Sequence, residues 1–110
     1  MEEKYNKLVR DKIPEIIKIN GEEPITRILT EEEYKKALEK KLLEECYEVL
    51  ESQDKKRLEE LADLLEVMKY LSQLENSSIE EVAKIGLEKN EKRGSFKNRI
   101  FLEKVITKKK

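Results

Sequence analysis

At 110 residues and 13.1 kDa the chain has room for one hydrophobic core and little else. Charged residues make up 45%, but 24 Lys plus Arg stand against 25 Asp plus Glu, and the resulting formal charge of -1 excludes both binding by bulk positive charge and an unbalanced disordered tail. One cysteine, Cys46, and no histidine exclude an internal disulfide, a zinc finger and a histidine base, which leaves carboxylates, Lys, Tyr and Ser for any chemistry.

Only 3 Gly and 2 Pro occur in a chain rich in Leu, Glu and Lys, which predicts an all-α domain. Tyr5-Asn6-Lys7-Leu8-Val9-Arg10-Asp11-Lys12-Ile13-Pro14 reads as extended or loop-like, because Pro14 disfavours helix at Ile13 while fitting a first helical turn itself. A short helix from about Pro14 to Ile19 ends at Asn20-Gly21, and Pro24 keeps the next stretch extended, with Ile25 to Leu29 compatible with a short strand. Thr30 with Glu33 forms a capping box that starts a long helix, whose apolar positions Tyr34, Leu38, Leu42, Cys46, Val49 and Leu50 carry it to about Glu51. Ser52-Gln53-Asp54 turns the chain and caps a third helix, in which Leu58, Leu61, Ala62, Leu64, Leu65, Met68 and Leu71 run to about Leu74. The two long helices make an antiparallel hairpin. After Asn76-Ser77, a second capping box of Ser78 and Glu81 opens a helix that runs to about Lys92 and stops at Arg93-Gly94-Ser95. Phe96 to Ile106 is compatible with a short strand or a packed extended tail, and Lys108-Lys109-Lys110 is a solvated end. No repeat or long linker divides residues 1–110, so a single domain is expected. No apolar run approaches the roughly 20 residues of a membrane span, and the charged start lacks a signal-peptide core, so the expectation is a cytoplasmic protein.

Two acidic motifs stand on the hairpin: Glu44-Glu45-Cys46-Tyr47-Glu48 and Glu60-Leu61-Ala62-Asp63. In so acidic a chain the motifs alone are weak, and their faces are the better test. At roughly 100° per residue, Glu45 falls inside the apolar arc of the second helix and Glu48 on its flank. On the third helix Glu60 projects between Val67 and Leu71, and Asp63 between Tyr70 and Leu74, whereas Glu59 and Glu66 point outward. Glu48 precedes the turn by about as many residues as Glu60 follows it, so an antiparallel hairpin brings four carboxylates to one height. Such a group repels itself and loses hydration unless a cation neutralises it. An all-oxygen donor set suits Mg²⁺, or Mn²⁺, rather than Zn²⁺ or Cu²⁺. Lys89, Lys92 and Arg93 at the end of the fourth helix, with Lys7, Arg10 and Lys12 in the opening segment, are the phosphate-binding candidates, since a carboxylate-held ion with flexible cations is the equipment of phosphoanhydride cleavage. No G-x-x-x-x-G-K-[ST] loop is present, which excludes a P-loop site.

Leu43-Glu44-Glu45-Cys46-Tyr47-Glu48, Glu60-Leu61-Ala62-Asp63, and Lys89 with Lys92-Arg93-Gly94-Ser95-Phe96 together resemble the all-α nucleoside triphosphate pyrophosphatases, the MazG-like and phosphoribosyl-ATP pyrophosphohydrolase-like group. The opening Tyr5 to Pro14 segment resembles one small branch of it, and Ser95 departs from the second Gly of many relatives. The resemblance implies cleavage between the α and β phosphates of a nucleotide to a monophosphate and pyrophosphate. It implies Mg²⁺ held by Glu45, Glu48, Glu60 and Asp63, with Glu44 as accessory ligand or water-orienting base. It also implies a homo-oligomer, dimer or tetramer, as do apolar arcs wider than one hairpin covers. Two other readings use the same residues: a non-catalytic helical interaction module, and a nucleic-acid binder working through Arg93 to Arg99 and the lysine tail, which the net charge and few aromatics disfavour.

Overall fold

The computed structural model describes residues 1–108, so Lys109 and Lys110 of the expected lysine end lie outside the described residues. The fold is all-α: α1 (Ile13–Ile19), α2 (Glu31–Glu51), α3 (Asp54–Leu74) and α4 (Ile79–Arg93), with no strand among the described residues. The chain forms two compact units, Met1–Ile79 and a second from Glu80 onward, and each stands here by itself.

In the first unit α1 begins one residue earlier than Pro14 suggests. The Ile13 N–H donates to the Arg10 carbonyl at 3.1 Å, so a turn through Asp11 and Lys12 delivers the chain into the helix before the proline ring takes its first-turn place. At the other end Gly21, at φ 85°, donates to Lys18 O at 3.0 Å and reverses the chain in the left-handed region that glycine enters without penalty. Ile25 to Leu29 is not a strand. Arg27 instead forks onto Glu33, Nη1 to Oε1 at 3.1 Å and Nη2 to Oε2 at 3.0 Å, and pins the segment to the first turn of α2. The same Glu33 closes the capping box: its N–H donates to Thr30 Oγ1 at 3.2 Å, and its carboxylate accepts from the Thr30 N–H at 3.0 Å.

Helices α2 and α3 pack as the expected hairpin. The turn is tied differently from the reading of Ser52-Gln53-Asp54 as a cap. Gln53 makes no side-chain cap, and Asp54 sits at φ 55°. The carbonyls at the end of α2 are met instead: Ser52 Oγ donates to Val49 O at 3.1 Å, and Arg57, one turn into α3, reaches back with Nε to Val49 O at 3.1 Å and Ser52 O at 2.9 Å. Among the described residues Leu38 and Val67 are the buried apolar ones, and Ser72 is buried too, its Oγ donating to Lys69 O at 2.6 Å. That is a small core, and removing either apolar side chain from water accounts for roughly 1.5–3 kcal/mol.

Helix α4 starts directly after Ser78, and its remainder, from Glu80, lies in the second unit and stops at Gly94, which at φ 82° donates to Asn90 O at 2.9 Å. Gly94 carries the positive φ of this stop, and Ser95 at the second position accepts from the Lys97 N–H on its Oγ at 3.3 Å. The stretch from Phe96 forms a turn, with Arg99 at φ 58° donating to Phe96 O at 3.2 Å, and not the strand compatible with its sequence.

Candidate metal centre

Glu45, Glu60 and Asp63 each place one carboxylate oxygen within 4.8 Å of the others. Helix geometry explains the convergence. Residues 60 and 63 are three apart and share a face of α3, and Glu45 faces them across the antiparallel pair, as many residues before the turn as Glu60 lies after it. Glu45 and Glu60 are only 8% and 7% exposed, the two most buried charged residues described.

Each of the three acids has its own cation. Lys41 Nζ lies 3.7 Å from Glu45 Oε1, Lys56 Nζ lies 3.0 Å from Glu60 Oε1, and Arg10 Nη2 donates to Asp63 Oδ1 at 2.7 Å. The other arm of the Arg10 fork, Nη1, is 4.0 Å from Glu66 Oε2. Burial pushes the Glu45 carboxyl above the usual carboxylate range; Lys41 opposes the shift, and Asp63, Glu60 and Glu48 add to it by repulsion. The hydrogen bond to Glu60 raises Lys56, and that to Asp63 raises Arg10.

An open pocket of about 420 Å³ lies over these groups. Glu45, Glu60 and Asp63 line it together with Glu44, Glu48, Lys41 and Lys7. The donor set fits a hard divalent cation: it is all carboxylate oxygen, and ligands on opposite sides of an ion with bonds of about 2.1 Å stand roughly 4.2 Å apart, so small side-chain movements close the group.

The structure thus brings together Glu45, Glu60 and Asp63, with Glu44 and Glu48 on the same wall, though Glu48 is exposed and outside the tight group. Lys7 reaches this pocket and Arg10 reaches Asp63, whereas Lys12 is exposed at the start of α1. Lys89, Lys92 and Arg93 are exposed on α4, in the second unit. Glu59 points to solvent as expected, but Glu66 does not stand apart: at 40% side-chain exposure it is as covered as Asp63 and shares Arg10 with it. Three α-helical turns of wheel position could not show this, because the partner comes from another part of the chain. Lys41 and Lys56 were legible, each four residues before the acid it pairs with, and the helix-wheel reading of the acids passed over them.

A sequence model described as the MazG nucleotide pyrophosphohydrolase domain matches residues 33–95, more than half of the chain. An uncharacterized protein of Mycolicibacterium smegmatis (strain ATCC 700084 / mc(2)155) is 50% identical over 42 residues, 38% of this chain and 43% of that protein. The chain therefore matches less than half of that relative's length. No solved structure matches.

Proposed function

The chain belongs to the MazG nucleotide pyrophosphohydrolase domain family, and from that membership we propose that it cleaves the α–β phosphoanhydride of a nucleoside triphosphate or a related compound, giving a monophosphate and pyrophosphate. The observation that carries this reading is the group of Glu45, Glu60 and Asp63 with oxygens within 4.8 Å, the two glutamates buried, on the hairpin inside the matched residues. In the proposal these three and Glu48 hold the ion. When bound, Mg²⁺, or Mn²⁺ in its place, would polarise the phosphoryl oxygens and lower the pKa of an attacking water.

The side chains do the rest. Glu44 lines the same pocket, adjoins the ligand Glu45 and orients the water as its base. With no histidine to activate a Ser or Cys, the nucleophile of the proposed reaction is water, activated by the ion and a carboxylate. Lys7, Arg10 and Lys12 supply positive charge to the phosphates, where donors aimed at developing negative charge lower the barrier, and Lys89, Lys92 and Arg93 are the phosphate-binding candidates of the second unit.

The assembly we propose is a homo-oligomer, dimer or tetramer, which completes the site. Leu43, Tyr47 and Leu50 lie at i, i+4 and i+7 on α2 and are 58%, 58% and 72% exposed. Leu58, Leu61 and Leu65 repeat the stripe on α3 at 67%, 42% and 53%. Leu43 is about 200° around the helix from Glu45, so this side of the hairpin faces away from the carboxylates. Large apolar side chains in two aligned stripes favour burial against another copy. No helix among the described residues is long and apolar enough to cross a membrane.

Hydrolysis in ¹⁸O-labelled water tests the reaction. Pyrophosphate and a nucleoside monophosphate should form, only with a divalent cation and with label in one product. Release of orthophosphate from the γ position would overturn the reading.

A further inference from the structure

The cluster is not simply an acidic site waiting for charge, because it already holds one cation per acid: Lys41 on Glu45, Lys56 on Glu60 and Arg10 on Asp63. Two of these differ in kind from the third. Lys41 and Lys56 stand four residues from their partners on the same helix, where helix geometry holds each lysine stem beside its acid whatever else is bound, while a flexible ammonium swings aside at little cost. Arg10 comes from the opening segment, 53 residues from Asp63, and its 2.7 Å contact is the shortest of the three. It also lies near enough to Glu66 and Glu45 for both to strengthen its charge.

A guanidinium at 2.7 Å from one oxygen occupies the outer face of Asp63, and a doubly charged ion drawn in by the same carboxylates is repelled by it at short range. We propose that Arg10 is the internal counter-ion of the metal-free centre, that a divalent cation displaces it from Asp63, and that the freed guanidinium then serves the substrate phosphates. This rests on the metal reading above and adds an order to it: metal entry releases the fork that engages the nucleotide. Because both act through Asp63, the coupling is reciprocal, and a phosphate that captures Arg10 removes a competitor of the metal.

The test is Mn²⁺ affinity of the full chain without nucleotide, by electron paramagnetic resonance or calorimetry. Arg10→Ala and Arg10→Gln are compared with wild type and with Lys7→Ala, which removes an equal charge from the pocket wall without touching Asp63. Displacement predicts roughly three- to tenfold tighter Mn²⁺ binding for both Arg10 variants and a smaller change for Lys7→Ala. Two Arg10 variants keep the result readable if one folds poorly. Unchanged or weaker binding, or an equal gain in Lys7→Ala, overturns the proposal while leaving the metal centre standing. If neither wild type nor any variant takes up Mn²⁺, the metal reading falls and this proposal with it.

Discussion

A carboxylate at the position of Glu45 is at odds with a metal-free protein: burial and three neighbouring acids raise its pKa, and Lys41 recovers only part of the loss. Substituting Glu45→Gln therefore relieves desolvation while leaving Lys41 unpaired, and these opposing effects should leave metal-free stability within about 1 kcal/mol of wild type. The metal response should differ sharply. A cation at a hundred times its Kd adds about 2.7 kcal/mol to wild-type stability. Melting curves with and without Mg²⁺ should show that gain vanish in Glu45→Gln, Glu60→Gln and Asp63→Asn and persist in Glu59→Ala. Glu33 carries the opposite kind of shift. The Arg27 fork and the Thr30 N–H hold it at about 2 against an ordinary 4.5. Its stabilisation is present above pH 4.5 and is lost as pH falls through about 2, since the unfolded chain takes up the proton first. Glu33→Gln keeps an amide oxygen for the cap but has no proton to gain, so its stability between pH 4.5 and 2 should fall less than that of wild type in denaturant titrations.

At the scale of elements, the hairpin is defined at its ends more than along its length. The Thr30 and Glu33 box starts α2, and Thr30→Ala should cost about 1 kcal/mol, seen as a lower urea midpoint at unchanged slope. Thr30→Ser should recover most of it. The turn at Ser52 and Gln53 depends instead on Arg57, whose Nε is shared between two carbonyls. Arg57→Ala should destabilise by about 1 kcal/mol, and because the turn sets the register of α2 on α3, the same variant should weaken Mn²⁺ binding although residue 57 lies outside the acid group. Unaltered metal affinity in a destabilised Arg57→Ala would show that packing of Leu38 and Val67, and not the turn, holds the carboxylates in register.

For the whole molecule, the small buried core and the exposed stripes on α2 and α3 predict association. Sedimentation at micromolar concentration should show dimers or tetramers, and Leu50→Lys together with Leu61→Lys should shift the protein toward monomer. A single monomeric wild-type species would count against both the assembly and a site completed by it.

Much was readable from the chain because the deciding interactions are local. The capping box at Thr30, the stops at Gly21 and Gly94, and the apolar period of α2 and α3 all lie within a few residues of what they control, and four helices follow from them. The face shared by Glu45, Glu60 and Asp63 was readable for the same reason, from helical spacing, whereas the expected level of Glu48 with Glu60 was not met and Glu48 lies outside the tight group. The rest needed the tertiary structure. Which cation meets Asp63, that Glu66 joins it, that Arg57 reaches back to tie the turn, and that Arg27 forks onto Glu33 are contacts of long, flexible side chains whose several rotamers are equivalent until distant backbone is brought near. Periodicity fixes the direction in which a Cβ points; it does not fix where a guanidinium four bonds further on comes to rest, and that is decided only when the chain closes on itself.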